Sequence, residues 1–192
     1  RSHIDLDGAT EVYEFLRKKK HMIEVFVDGR GYIEKADFED IKRGLVSYRT
    51  REYVLKTRTP VDNIFNLFRD NLKNIENINI FFETDDEKHK MRNELKKLKN
   101  ISVTSSLPEN LEIGGENTSK AAGILFVADK LGVDKGQIMC FGDGLNDLEM
   151  ISMAGMGVAM ENGLCELKSA ADYIAPGNDC DGVAQVIEKF VL

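Results

Sequence analysis

With 192 residues the chain suits one large domain or two small ones, and a hydrophobic content of 42% is enough for a packed core. Its net charge of -7, with 31% charged residues, argues against nucleic acid or an anionic membrane as the main partner. The three cysteines (Cys140, Cys165, Cys180) lack regular spacing, which fits reduced thiols in a cytoplasmic setting, and no apolar run reaches the length of a membrane span.

In chain order, residues 1–10 carry His3-Ile4-Asp5-Leu6-Asp7-Gly8-Ala9-Thr10. Helical spacing of Val12, Phe15 and Leu16 predicts an amphipathic helix over 11–20. Alternation predicts a strand over 23–27, a turn at Asp28-Gly29-Arg30-Gly31 and a returning strand at Tyr32-Ile33. Residues 38–45 read as helix, and 49–56 give no clear pattern. Pro60-Val61-Asp62-Asn63 reads as the opening of a helix that buries Ile64, Leu67, Phe68 and Leu72. A strand (77–82), a helix (85–98) and a strand (101–104) follow, the pattern of a two-layer α/β sandwich. Leu111-Glu112-Ile113 reads as a last short strand and Gly114-Gly115 as a linker, which divides the chain into 1–113 and 114–192.

Beyond the glycines, Thr118 or Ser119 caps a helix over 120–131 that Gly132 ends. Strands at 138–143, 157–160 and 173–175 then alternate with helices at 146–154, 163–170 and 182–189. Strands alternating with helices predict a parallel sheet covered on both faces. Cys140 lies inside the first of these strands and reads as a core residue.

The stretch that bears chemistry is Phe141-Gly142-Asp143-Gly144-Leu145-Asn146-Asp147. A strand that ends in Gly-Asp-Gly and turns into a helix leaves carboxylates at the carboxyl edge of a sheet, where open α/β folds place ligands. Asp143 and Asp147 are four apart, close enough to face one hard cation. A solvated acidic turn that caps a helix through Asn146 or Asp147 is the plainer alternative.

"FGDGLNDLEMI", "AGMGVAMENG", "AADYIAPGNDCDGVA" and the lysine of "TSKAAGI" resemble, in order and spacing, the last two motifs of the haloacid dehalogenase (HAD) superfamily in its Cof-type, sugar-phosphatase-like branch. The resemblance covers about 112–192. More weakly, 1–111 resembles the family's mobile α/β cap of the C2B type, so it implies an α/β fold: part of a Rossmann-like core plus a cap. It further implies a Mg²⁺-dependent phosphatase of small phosphorylated metabolites that works through an aspartyl-phosphate. By the same resemblance Asp143 is a metal ligand, Asp147 assists the metal or orients the lysine, and Lys120 stabilises nucleophile and phosphoryl group. Asn146 hydrogen-bonds phosphate or a ligand in the site, and Asn178 with Asp179 matches a loop near the site. The cap shapes specificity, with His21, Arg49, Arg51, Tyr53 and Lys56 as candidates.

The family's first motif, Asp-x-Asp-Gly-Thr, holds the nucleophile and the acid/base. "DLDGAT" offers Asp5 and Asp7, but Arg1-Ser2-His3-Ile4 is too short and polar for the buried strand required, Ala9 stands in place of Thr, and no second motif follows. We therefore read Asp5 as a decoy and expect the nucleophile in a preceding stretch on the order of 80 residues. The chain alone is then expected to be inactive, with an exposed sheet edge that invites self-association. The alternative is a non-catalytic α/β binding module.

Overall fold

The alternating run Ile23–Val27 (β1) sits near the middle of a six-stranded sheet in the computed structural model, which describes residues 3–47 and 49–192. The chain divides between Asn117 and Thr118 into two units.

In unit 1, β1 turns through Asp28 and Gly29, both at positive φ (52° and 76°), into β2 (Arg30–Glu34). Positive φ at both central residues is what a tight two-residue hairpin requires, and it pairs Val27 with Arg30. The sheet is completed by β3 (Arg58–Val61), β4 (Ile75–Phe81), β5 (Ile101–Thr104) and β6 (Asn110–Gly115) in the order β3-β2-β1-β4-β6-β5. Only β2 and β3 run parallel.

Successive strand residues point to opposite faces, and the two faces are covered differently. On one, Val25, Ile78, Ile80, Leu111 and Ile113 pack with α1 (Leu6–Leu16), α4 (Ile64–Asp70) and α5 (Asp85–Leu95). On the other, Ile33 and Phe81 pack with Ile41 of α2 (Lys35–Arg43) and Val54 of α3 (Arg51–Thr57).

Several expectations shift. The first helix begins at Leu6, because Asp5 caps it: its Oδ1 accepts from Gly8 N at 2.7 Å. The lead-in lies partly outside the described residues; within it, buried Ile4 donates its N–H to Ile75 O at 2.8 Å. Pro60 opens no helix; it lies in β3, a sheet-edge position where its missing donor costs little, and Asn63 caps α4 instead. Gly114 and Gly115 are the last residues of β6, opposite Ser102 and Ile101, so they form no linker.

In unit 2, β7 (Met139–Gly142), β8 (Met156–Met160) and β9 (Tyr173–Ala175) form a parallel sheet in that order. The strands alternate with α6 (Lys120–Leu131), α7 (Leu148–Met153), α8 (Cys165–Ala170) and α9 (Gly182–Phe190). Ala121, Cys140, Met150, Ile151, Ala159 and Leu167 make one core cluster; Val158, Met160, Ala175 and Val186 make another. Ser119 caps α6 by accepting from Ala122 N, and Gly132 closes it at φ 67°. Among the described residues β7 is paired on one edge only. Phe126 and Leu131 of α6 are exposed, and beside them a groove of about 560 Å³ is lined by residues such as Ile124, Val127, Ile138 and Met150.

Two stability predictions follow from unit 1. Phe68 is fully buried, with Tyr13 edge-on at 5.5 Å, so Phe68→Ala should cost about 3–5 kcal/mol in urea denaturation. Asp37, in the first turn of α2, has its pKa raised to about 6 by burial and by the neighbouring Glu34 and Asp40. A carboxyl that binds its proton more tightly when folded adds stability below its unfolded pKa and loses it as pH rises through about 6. Asp37→Asn should therefore stabilise by on the order of 1 kcal/mol at pH 7.5 and by almost nothing at pH 3.5, read as the difference between denaturation midpoints at the two pH values.

Candidate active site

The acidic turn starts where β7 ends, and Gly142 sets its geometry. A Cβ on Gly142 would lie 2.4 Å from the Asp147 Cβ, so only glycine lets Asp147 fold back against the strand end. A 3-10 turn over Leu145–Asp147 brings it there, with Asp147 N donating to Gly144 O at 3.0 Å.

Asp147 is 2% exposed. Its Oδ2 accepts from Asp143 N at 3.0 Å and Gly144 N at 3.1 Å, and its Oδ1 is ion-paired and hydrogen-bonded to Lys120 Nζ. Lys120 is the first residue of α6, with half of its side chain exposed. Asp147 thus holds a cation beside the strand end and fixes the backbone of Asp143. The Asp143 carboxylate is exposed and bonds to no other described residue. Asn146 is half-buried beside Gly144: a Cβ there would lie 2.8 Å from Asn146 Oδ1.

The loops after β7, β8 and β9 adjoin at the carboxyl edge of the sheet. Leu164 N donates to Asp143 O at 3.1 Å, and Gly163 lies so close that its Cβ would sit 3.0 Å from Asp143 Cα. Next to it, Asn162 Oδ1 accepts from Asn178 N at 3.3 Å. Lys120, Asp143, Asn146 and Asp147 are therefore gathered at one strand end, with Asn178 and Asp179 two loops away and bridged by Asn162. Sequence reasoning missed Asn162, although an Asn-Gly pair just past a short apolar strand was a usable signal. Asp5 belongs to unit 1, where it caps α1.

Cys140 and Cys180 are not set up as nucleophiles. Burial pushes the Cys140 thiol up, and Asp179 is the chief cause raising Cys180, whereas an activated thiol needs a depressed pKa.

For a metal, the chemistry of the donor set is the test. Among the described residues no three His, Cys, Asp or Glu side chains converge. Mg²⁺ needs no such cage: it takes one or two carboxylates and completes its shell with water and phosphate oxygens. Asp143 fits that role with both oxygens free. Both Asp147 oxygens are already engaged, so a direct bond from Asp147 to a metal would displace one of its present partners.

Comparison with known proteins bears on the same features. Along 110 residues, 57% of this chain, it is 43% identical to the 5-amino-6-(5-phospho-D-ribitylamino)uracil phosphatase YcsE of Bacillus subtilis. That stretch spans 44% of the relative's length, so the chain matches less than half of it. Among solved structures, a haloacid dehalogenase-like hydrolase from B. subtilis superposes with a TM-score of 0.79 at 23% identity, over 99% of this chain and 72% of that one. The HAD subclass IIB sugar phosphatase BT4131 gives a TM-score of 0.79 at 22% identity, over 99% of this chain and 68% of that one. These two likenesses establish the fold, a HAD Rossmann-like core with an α/β cap. The sequence pattern of the haloacid dehalogenase-like hydrolases matches residues 1–187, and the chain belongs to that family.

Proposed function

We propose that this chain carries part of the active site of a Mg²⁺-dependent phosphatase that hydrolyses phosphate monoesters of small metabolites, such as sugar phosphates, in the cytoplasm. The observation that carries the reading is the fixed Lys120–Asp147 pair beside the unengaged Asp143 carboxylate. When bound, Mg²⁺ offsets charge on the phosphoryl oxygens. Asp143 supplies a carboxylate to hold it. Lys120 supplies a point charge toward the phosphoryl group, and Asp147 keeps the ammonium in place without touching substrate. Asn146 and Asn178 supply amide groups for phosphate oxygens.

The nucleophilic carboxylate is assigned to backbone outside these residues. Asp5 is the N-cap of a helix, its Oδ1 committed to Gly8 N, and Gly8 and Ala9 are buried inside α1. A nucleophile on an apolar strand beside β7 would stand next to Asp143. Catalysis through an aspartyl-phosphate is thus proposed for a longer protein, and the 192 residues alone are read as inactive.

A second reading, a catalytically incomplete module that binds a partner or a copy of itself, is favoured by the single-sided β7 edge and the apolar groove beside α6.

Hydrolysis of p-nitrophenyl phosphate, with Mg²⁺ and with a chelator, separates the readings. The chain alone should show no metal-dependent turnover, and a version extended at its N-terminus should turn over. In the extended protein, Lys120→Ala should lower kcat by roughly 10²-fold or more. Turnover by the chain alone that disappears in Asp5→Asn would make "DLDGAT" the true first motif. Inactivity of both versions, with a dimer in sedimentation, would favour the binding module.

A further inference from the structure

Four buried side-chain atoms lack a hydrogen-bond partner among the described residues, and all belong to one cluster in unit 1: Glu24 Oε2, Arg49 Nε, Arg58 Nε and Asn79 Oδ1. Buried polar groups are otherwise almost always satisfied, so such a concentration calls for a cause.

Glu24 is fully buried on β1 and faces two arginines. Arg49 Nη2 pairs with its Oε1, and Arg58 Nη2 lies 2.9 Å from its Oε2, an ion pair whose alignment falls short of a hydrogen bond. The side chains of Arg49 and Arg58 are 4% and 6% exposed. Aromatic rings hold them in place: Arg49 stacks 3.7 Å from the Phe81 ring centre, and Arg58 lies between Phe26 (4.9 Å) and Tyr53 (5.1 Å). The charged or titratable groups that bear on Arg49 are Glu24, Arg58 and the Tyr53 phenol. Two guanidinium groups against one carboxylate leave one positive charge in excess, which is costly to bury uncompensated.

Beside the cluster the sheet face is only partly covered. Phe26 pairs across the sheet with Asn77 and Glu24 with Asn79, so all four share one face, and Phe26, Asn77 and Asn79 are only half-buried. Glu112, opposite Asn79, is engaged by Ser106 and Asn110.

We propose that this face of unit 1 binds an oxyanion, the carboxylate or phosphate group of a small molecule, through the Nε edges of Arg49 and Arg58. That edge, one Nε–H beside one Nη–H, is the fork that grips a planar or tetrahedral oxyanion with two parallel bonds. The Asn79 amide joins after a half-turn that presents its nitrogen, an exchange of ends that leaves its shape unchanged. Glu24 preorganises the arginines and, by cancelling half their charge, keeps the empty site foldable. The proposal uses no residue of the acidic turn, because every residue in it lies in unit 1, and under the phosphatase reading Arg49 is also one of the cap candidates for specificity.

The test is a titration of the full chain, followed through arginine Nε–Hε resonances, with sodium phosphate in one arm and sodium malonate in the other. Sodium chloride at matched ionic strength is the control. Arg49 and Arg58 signals should move saturably in at least one arm, and the arm that saturates at lower concentration names the oxyanion. Glu24→Gln, nearly the same shape with one charge fewer, should tighten binding about tenfold, and Arg58→Lys should weaken it about tenfold. Lys120→Ala should leave both signals responding as before. Nε signals unmoved by either probe, or moved equally by chloride, overturn the proposal, and so does a response abolished by Lys120→Ala. If Arg58→Lys fails to fold, the wild-type titration and Glu24→Gln still decide.

Discussion

The Asp147 carboxylate is the constraint on which the candidate site depends. A buried carboxylate is strongly disfavoured unless its lone pairs are taken up, and here two backbone N–H groups and an ammonium do so. Those three bonds have a structural result beyond charge compensation. The amides of Asp143 and Gly144 are aimed inward at Asp147, which leaves the Asp143 side chain outside. The start of α6 is tied to the end of β7, although 27 residues separate Lys120 from Asp147. Half of the Lys120 side chain stays in solvent, so the pair is anchored at the acid and open at the base.

This arrangement needs a parallel sheet. Parallel strands bring all their carboxyl ends to one edge, and the loops that leave them can touch one another. The bonds from Leu164 to Asp143 and from Asn178 to Asn162 are such loop-to-loop contacts. Unit 1 is built on different terms. Its sheet is mostly antiparallel, one face is packed by α1, α4 and α5, and the other carries α2, α3 and the buried arginine cluster around Glu24.

The sequence made part of this legible, and what stayed hidden has a common physical cause. Local signals carried the elements of unit 2. Ser119 and Gly132 bracket α6 because a cap and a left-handed C-terminus depend on adjacent residues alone. The acidic heptapeptide was readable because glycine and aspartate spacing sets its turn. β3 was not readable: Arg58-Thr59-Pro60-Val61 is extended because it pairs with Gly31–Glu34, more than twenty residues earlier. Gly114 and Gly115 looked like a linker because their strand state comes from β5. Asn162 and Arg58 matter through partners distant in sequence, which periodicity does not reveal. For the same reason the two engaged oxygens of Asp147 could not be foreseen from its spacing to Asp143.

Strand edges invite further pairing unless something blocks them. In unit 1 the β3 edge carries Pro60, which lacks a donor, together with charged Arg58. In unit 2 the β7 edge carries Met139, Cys140 and Phe141, with neither proline nor charge. The unprotected strand is also the one that delivers Asp143. Under the proposed phosphatase reading these two facts are one: a strand seated on the β7 edge would end beside Asp143, within reach of a phosphoryl group that Lys120 also faces. An edge kept apolar for that purpose cannot also be guarded by charge, so the same feature that would complete a catalytic site would promote self-association when nothing is seated there.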